Sequence, residues 1–109
     1  MNELILPEPI STYFHADSRD GEDVALCFSK DAVVVDEGQR HCGREAIQAW
    51  KAAASAKYSY CSEPLALEQK NGQHIVTSRL TGNFPGSPIN LRYVFHLNGS
   101  QIASLEIIQ

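Results

Sequence analysis

The first apolar residues of the chain recur at helical spacing. Ile10, Tyr13 and Phe14 stand at i, i+3 and i+4, and proline is tolerated in a first helical turn, so the pattern predicts a helix that starts near Pro9. A second helix is predicted from a cap at Asp20, with apolar residues between 24 and 28 on its buried side and its end at 29–31. Both predicted helices precede the first strand.

The central stretch predicts a strand, a polar loop and a third helix. The β-branched run Val33–Val35 favours the strand, and Asp36 ends it with a carboxylate where an apolar residue would be usual. The helix is predicted over Gly43–Ala56, because apolar residues recur at helical spacing from Ile47 onward. Trp50, the single tryptophan of the chain, lies on that apolar face.

After this helix, apolar and polar residues alternate, which is typical of strands. Four strands joined by tight turns are predicted over 58–70, 74–84, 89–97 and 102–109. Asn71-Gly72 and Asn98-Gly99 predict two-residue hairpin turns, since both residue types tolerate positive φ, and Pro64 predicts an edge position or a bulge. Helices followed by a meander predict a single α+β domain over 1–109, in which three helices pack on the concave face of a curved, cone-shaped antiparallel sheet.

Charge and composition exclude several classes of function. The net charge of −4, with lysines and arginines scattered, argues against a nucleic-acid-binding surface, which needs a basic stripe. No apolar run approaches the roughly 20 residues of a membrane helix, and the N-terminus lacks the pattern of a signal peptide, so we expect a cytoplasmic protein that binds no membrane. The histidines and cysteines show no metal-ligand spacing. We therefore expect no metal, no cofactor, and reduced, mostly buried thiols; the alternative is a reactive thiol at Cys42, in the polar loop near His41.

Asp36 is the strongest candidate for chemistry. On the inward side of a strand its carboxylate would be desolvated, and it could act as a base near neutral pH. The alternative is that Asp36 caps or turns the loop into Glu37-Gly38, where aspartate is common. His41, in the polar loop, is either an acid, base or ligand-orienting group or a solvated loop residue.

The inward faces of the later strands are predicted to be almost entirely apolar. The predicted inward residues are Val76, Ser78, Leu80, Leu91, Tyr93, Phe95, Ala103, Leu105 and Ile107. A pocket built from such residues suits a small apolar or aromatic ligand. The predicted ligand contacts are Trp50, Tyr93, Phe95, Leu80 and Leu105. Trp50 could instead serve only as core, because it buries a large area.

The central stretch resembles a known superfamily. Asp31-Ala32-Val33-Val34-Val35-Asp36, a short polar loop, and Gly43-Arg44-Glu45-Ala46-Ile47 shortly before Trp50 resemble the nuclear transport factor 2-like superfamily, closest to its SnoaL-like members and ketosteroid isomerases. Asn98-Gly99 at the last strand turn also fits the pattern. The resemblance implies a cone-shaped α+β barrel, usually a homodimer through the outer face of the sheet. It implies little about chemistry, because this fold hosts many activities.

The resemblance also suggests roles for single residues. The isomerase's aspartate base corresponds to Asp36, and its aromatic wall corresponds to Trp50. Its tyrosine donor corresponds to Tyr13 if one residue is absent from the loop after the first helix. Its second donor, an aspartic acid, falls at Tyr93; this is a departure, although tyrosine can also donate to a developing oxyanion.

Two hypotheses about function follow. In the first, the chain is a cofactor-independent isomerase, cyclase or dehydratase, in which Asp36 removes a proton next to a carbonyl and Tyr13 or Tyr93 stabilises the enolate oxygen. In the second, it is a dimeric ligand-binding or interaction module without turnover. An Asp36 that faces a cavity within hydrogen-bonding reach of a tyrosine hydroxyl would favour the first. The expected dimer interface includes the outward apolar residues Ile75, Val94 and Ile108.

Overall fold

The computed structural model of the protein describes residues 5–17 and 24–109. Its elements are helix α1 (Glu8–Asp17), a 3-10 helix (Val24–Cys27), strands β1 (Phe28–Asp36) and β2 (Gln39–Cys42), helix α2 (Gly43–Lys57), and strands β3 (Tyr60–Lys70), β4 (Gln73–Gly82), β5 (Ile89–Asn98) and β6 (Gln101–Ile108). No helix in these described ranges is both long and apolar enough to cross a bilayer.

All six strands belong to one curved sheet, in the order β2-β1-β6-β5-β4-β3. The strands from β3 to β6 form the predicted meander, and every neighbouring pair in it is antiparallel. The last strand then lies beside β1 and runs parallel to it, with Val34 opposite Leu105. The sheet is therefore mixed, and the prediction of a purely antiparallel sheet was wrong. A parallel pair is possible here because the chain between β1 and β6 is long enough for a crossover.

The prediction of three helices also needs correction. Within the described residues there are two α-helices, and the region predicted as the second helix contributes only the 3-10 turn Val24–Cys27 before β1 begins at Phe28. Phe28, Ala32 and Val34 are buried in a strand, so the apolar residues at 27–28 mark a change of element rather than a helical face. The predicted cap at Asp20 lies outside the described residues.

Strand β2 was not predicted. Residues 39–42, which were predicted to belong to a polar loop, form a short strand. It pairs antiparallel with β1 in a hairpin, in which Asp36 lies opposite Gln39. Glu37 and Gly38 form its two-residue turn with φ of 52° and 76°, the left-handed conformation that such a turn requires. The strand is polar because it lies at the edge of the sheet.

The tight turns largely follow the predictions. Asn71-Gly72 is the two-residue turn between β3 and β4, and the β3–β4 register shifts just after Pro64, which confirms the predicted bulge. The β5–β6 turn differs by one residue: Asn98 pairs with Gln101, so Gly99 and Ser100 are its central residues.

A bulge in β6 alters one predicted core position. The β5–β6 register shifts between His96 and Leu97, so that Ile102 is fully buried while Ala103 is only half-buried. The prediction that Ala103 faces inward was therefore wrong, because the extra residue at the bulge shifts the alternation of inward and outward side chains.

The core lies between the helices and one face of the sheet. Its centre is an aromatic cluster in which the Tyr13 ring packs edge-on against Phe14, Phe28 and Phe95. Aromatic side chains bury large areas, and such edge-to-face pairs add to the stability from burial. Of the three thiols only that of Cys27 is buried, whereas Cys42 and Cys61 are exposed, contrary to the prediction.

Candidate functional site

An open cavity of about 740 Å³ lies between α2 and the sheet. Its apolar and aromatic lining includes Trp50, Ala54, Tyr58, Tyr60, Leu80, Phe84, Ile89, Leu91, Tyr93 and Ile107. Its polar and charged lining includes Asp36, Glu37, Gln39, His41, Lys51, Lys57 and Gln109. A concave surface that combines apolar and aromatic side chains with polar groups can hold a small molecule, although this lining is more polar than is usual for such sites.

Asp36 and Trp50 lie together at the wall of this cavity. The Trp50 Nε1–H donates a hydrogen bond of 2.9 Å to Asp36 Oδ2. Asp36 is the last residue of β1 and is half-buried, and α2 carries Trp50 back over the end of that strand. The indole therefore fixes one oxygen of a carboxylate that lines the cavity. Among the described residues this donor is an indole N–H, and not the tyrosine hydroxyl that the sequence-based hypothesis specified.

The rim next to Trp50 carries His41. This residue lies on β2, lines the cavity and is half-buried. Its ring centroid is 5.9 Å from that of Trp50, with the two planes tilted by 32°. Pairing of β2 with β1 thus places His41 beside the Asp36–Trp50 pair rather than in a solvated loop.

The floor of the cavity holds a buried polar network that sequence reasoning missed. Lys51 Nζ donates to Asp17 Oδ1 at 2.7 Å and to the Tyr60 hydroxyl at 3.1 Å. The Tyr60 hydroxyl in turn donates to Asp17 Oδ1 at 2.7 Å. The side chains of Lys51 and Asp17 are only 4% and 2% exposed. Three elements, α1, α2 and β3, therefore meet at one ion pair.

The geometry around the ammonium is aromatic. Lys51 Nζ lies 4.4 Å from the centroid of the Trp50 ring, and 5.7 and 5.8 Å from those of Tyr13 and Tyr60. A cation over a ring face is attracted by the ring's quadrupole, more strongly where water is excluded. Trp50 therefore contacts both charged sites, through its N–H to Asp36 and through its face to Lys51.

The sequence contained one indication of this network, the helical spacing of its two charged residues. Lys51 is four residues after Ile47 and Asp17 is three after Phe14, so each charged side chain occupies an apolar-stripe position of its helix. A lysine and an aspartate on the buried faces of two helices need a partner, because unpaired buried charges are costly.

The other predicted site residues divide into two groups. Leu80 and Tyr93 line the cavity. Tyr13, Phe95 and Leu105 are almost completely buried and lie in the core rather than on the cavity lining. The hydroxyl of Tyr13 has no hydrogen-bond partner among the described residues. Because α1 carries Tyr13 into the aromatic cluster, this ring supports the cavity from behind.

Three tyrosines near the cavity are held in the neutral form. Burial is the main cause that raises the pKa of Tyr60, and the negative charge of Asp17 adds to it. Burial likewise raises the pKa of Tyr93, and the negative charge of Asp17 adds to it. The pKa of Tyr13 is raised well above 10.0, again mainly by burial. Near neutral pH these hydroxyls remain proton donors rather than becoming anions.

Within residues 5–17 and 24–109, no group of three or more His, Cys, Asp or Glu side chains is placed to hold a metal ion. Two carboxylates at or near the cavity accept hydrogen bonds from protein groups. Asp36 accepts from an indole, and Asp17 accepts from an ammonium and a phenol.

The chain resembles several solved structures. A candidate polyketide cyclase from Sinorhizobium meliloti is 43% identical, with a TM-score of 0.88 and coverage of 94% of each chain. A hypothetical protein from Catenulispora acidiphila, solved with trimethylamine and of ketosteroid isomerase-like fold, is 19% identical, with a TM-score of 0.83 over 96% of this chain and 87% of the other. The epoxide hydrolase/cyclase-like enzyme SalBIII, which acts in pyran ring formation in salinomycin, is 19% identical, with a TM-score of 0.77 over 93% and 87%.

No protein-family model and no curated protein sequence matches the chain. The solved structures nevertheless establish the family, because one of them is 43% identical and the match covers nearly the whole of both chains. The order of helices and strands, the cavity beneath α2 and these relatives agree with the resemblance of the central stretch. The chain belongs to the nuclear transport factor 2-like superfamily, among its SnoaL-like and ketosteroid isomerase-like members.

Proposed function

We propose that the protein is a cofactor-independent enzyme of the isomerase or cyclase type, which moves a proton next to a carbonyl in a small, largely apolar or aromatic molecule. The observation that carries this proposal is a carboxylate on the wall of a roomy cavity, with one of its oxygens fixed by the Trp50 N–H. The relative described as a candidate polyketide cyclase supports the class of reaction.

Asp36 is the proposed base. Its Oδ2 accepts from Trp50, which leaves Oδ1 to accept a proton from a carbon next to the substrate carbonyl. The C–H electron pair then forms the enolate double bond, and negative charge moves to the carbonyl oxygen. Protonated Asp36 returns the proton to carbon, so no external acid, oxidant or cofactor is needed.

Tyr93 is the proposed donor to the enolate oxygen. Of the two tyrosines considered from the sequence, it lines the cavity whereas Tyr13 lies behind it. Burial keeps the pKa of Tyr93 above its ordinary value, so its hydroxyl stays protonated and can donate as charge develops. Trp50, Leu80 and Leu91 would hold the apolar body of the substrate.

The test is solvent deuterium exchange at the α-carbons of small ketones, β-dicarbonyl compounds and aromatic ketones, followed by proton NMR. We expect saturable exchange with the wild-type protein and a loss of about 10²-fold or more in Asp36→Asn. Glu106→Gln is the matched control, because Glu106 is an exposed carboxylate on β6 that does not line the cavity. Equal exchange by wild type and Asp36→Asn would contradict the role of Asp36.

The alternative function is a ligand-binding module without turnover. Saturable quenching of Trp50 fluorescence by these compounds, without any α-proton exchange, would support it. Trp50 is suited to report occupancy, because it is the single tryptophan and its ring lines the cavity.

A homodimer through the outer face of the sheet is part of the proposal. Ile75 and Val94 are opposite each other in the β4–β5 pair, and both are half-buried apolar residues on the face away from the buried Val76 and Tyr93. Light scattering should give twice the mass of one chain at micromolar concentration, and Val94→Glu should shift it to one. A single-chain mass for the wild type would reject the dimer.

A further inference from the structure

We propose that Lys51 is the oxyanion-binding residue of this cavity, and that the ligands it takes are compounds with an acidic oxygen, enols or phenols bound as their anions. This deepens the proposed function, on which it rests for the identity of the cavity. The assignment is based on placement: Lys51 and Tyr60 line the cavity, whereas Asp17, their shared acceptor, does not. Lys51 thus borders the cavity, whereas its counterion lies outside the lining.

A purely structural role explains the network less well. Taking two charges out of water is costly, and apolar residues of similar size often give equal or greater stability. Here the ion pair is almost completely buried, yet it is located under an open cavity rather than in the centre of the core. A positive charge positioned in advance beside the cavity is what a developing oxyanion requires.

Trp50 connects this cation to the proposed base. Its ring lies 4.4 Å from Lys51 Nζ, and its N–H bonds Asp36. When the ligand's proton passes to Asp36, a negative charge leaves the carboxylate and appears on the ligand oxygen. Lys51 stabilises that oxygen alongside the hydrogen bond from Tyr93, and the Tyr60 hydroxyl can turn from Asp17 to donate to it as well. Atoms and charge balance, because only one proton moves.

Acidic carbonyl compounds fit this arrangement best. One ammonium, already paired with Asp17, offers too little free charge to attract a dianion such as a phosphate. It suits one oxygen that becomes negative only after proton transfer inside the cavity. A β-dicarbonyl compound or a phenolic ring meets that condition, and the aromatic and aliphatic lining accommodates the rest of the molecule.

The test uses 4-nitrophenol, whose phenolate absorbs at longer wavelength than the neutral phenol. With the wild-type protein we expect saturable binding as the phenolate at a pH where the free probe is mostly neutral. Lys51→Met should weaken phenolate binding by about 10²-fold, the typical cost of removing one oxyanion donor. Lys70→Met is the matched control, since Lys70 is exposed at the far end of β3 and does not line the cavity. Absence of saturable binding by the wild type would overturn the inference.

Asp17→Asn separates a binding role from a structural one. If Lys51 binds the anion, removal of its counterion should strengthen phenolate binding, whereas a merely structural ion pair predicts equal damage from either substitution. Should Lys51→Met fail to fold, the double variant Lys51→Met/Asp17→Asn removes both charges together. Phenolate binding retained by the folded double variant would overturn the inference.

The two proposals fail in different ways. Exchange that disappears in Asp36→Asn, with phenolate binding unaffected by Lys51→Met, would keep Asp36 as the base and reject the lysine site. Phenolate binding that depends on Lys51, with exchange unaffected by Asp36→Asn, would keep the lysine site and reject Asp36.

Discussion

Two aspartates at or near the cavity differ in burial and in hydrogen-bond partners: Asp36 contacts Trp50 directly, whereas Asp17 contacts the lysine that packs on the Trp50 ring. Asp36, at the cavity wall, is half-buried and accepts a 2.9 Å hydrogen bond from a neutral indole. Asp17, under the floor, is 2% exposed and accepts from both an ammonium and a phenol on the same oxygen. The wall carboxylate keeps an oxygen for a ligand, whereas the floor carboxylate is committed to its protein partners.

The difference shows how one residue type serves chemistry in one place and pre-organisation in another. A half-buried carboxylate with a neutral partner can gain or lose a proton without leaving a buried charge unpaired. A fully buried carboxylate cannot, because its ammonium partner would then be left without a counterion in a medium of low dielectric constant. The floor carboxylate should therefore matter mainly for stability, and the wall carboxylate mainly for reactivity.

The largest effect is expected from breaking the floor ion pair. Lys51→Met leaves Asp17 buried without a counterion, and removing one partner of a buried pair typically costs about 3–5 kcal/mol. Urea unfolding at pH 7, followed by circular dichroism, should show a free energy of unfolding lower by that amount. The double variant Lys51→Met/Asp17→Asn should recover most of the loss, because no charge remains buried. A loss of under about 1 kcal/mol in the single variant would mean that water reaches Asp17.

The components of the floor were visible in the sequence, but their meeting was not. Lys51 and Asp17 occupy apolar-stripe positions of α2 and α1, which indicates two buried charges in need of partners. They are 34 residues apart, so no local pattern pairs them. Asp36 and Trp50 were easier to predict, because a strand, a short hairpin and one helix place them together within 14 residues.

The fold, too, was predicted from the sequence only where it depends on neighbouring residues. Period-2 alternation and Asn-Gly turns predicted strands β3 to β6 well, since each depends on neighbouring residues. The pairing of β1 with β6 depends on residues about 70 positions apart, as for Val34 and Leu105, and the sequence carries no local record of its direction. Strand β2 escaped prediction because Gln39-Arg40-His41-Cys42 has no apolar alternation, although Glu37-Gly38 is a residue pair that tight hairpins use.

Alkaline pH should lower the free energy of unfolding through the three buried tyrosines. Burial raises the pKa of Tyr13, Tyr60 and Tyr93 in the folded state, so each stabilising contribution is fully present below the unfolded value of about 10 and is lost as pH rises above it. Each tyrosine that ionises only on unfolding lowers the free energy of unfolding by about 1.4 kcal/mol per pH unit. Urea unfolding between pH 8 and 11.5 should show a steep decline above pH 10.

Single phenylalanine variants check this assignment. Tyr93→Phe should remove one tyrosine's share of the alkaline slope without altering the shape of the curve below pH 9. Tyr60→Phe should do the same and should also lower stability at pH 7, because Asp17 and Lys51 each lose a hydrogen bond. An alkaline slope equal to wild type in both variants would show that these hydroxyls ionise in the folded protein.

The smallest effect on stability is expected at the wall. Asp36→Asn preserves the shape of the side chain, and its amide oxygen can still accept from Trp50 Nε1–H, so the free energy of unfolding should change by about 1 kcal/mol or less. The same substitution should slow α-proton exchange by about 10²-fold or more, because an amide cannot take the proton. Urea unfolding and deuterium exchange measured on one preparation give both values. A loss of stability similar to that in Lys51→Met would mean that Asp36, like Asp17, is a structural charge. It would contradict the assignment of stability to Asp17 and of reactivity to Asp36.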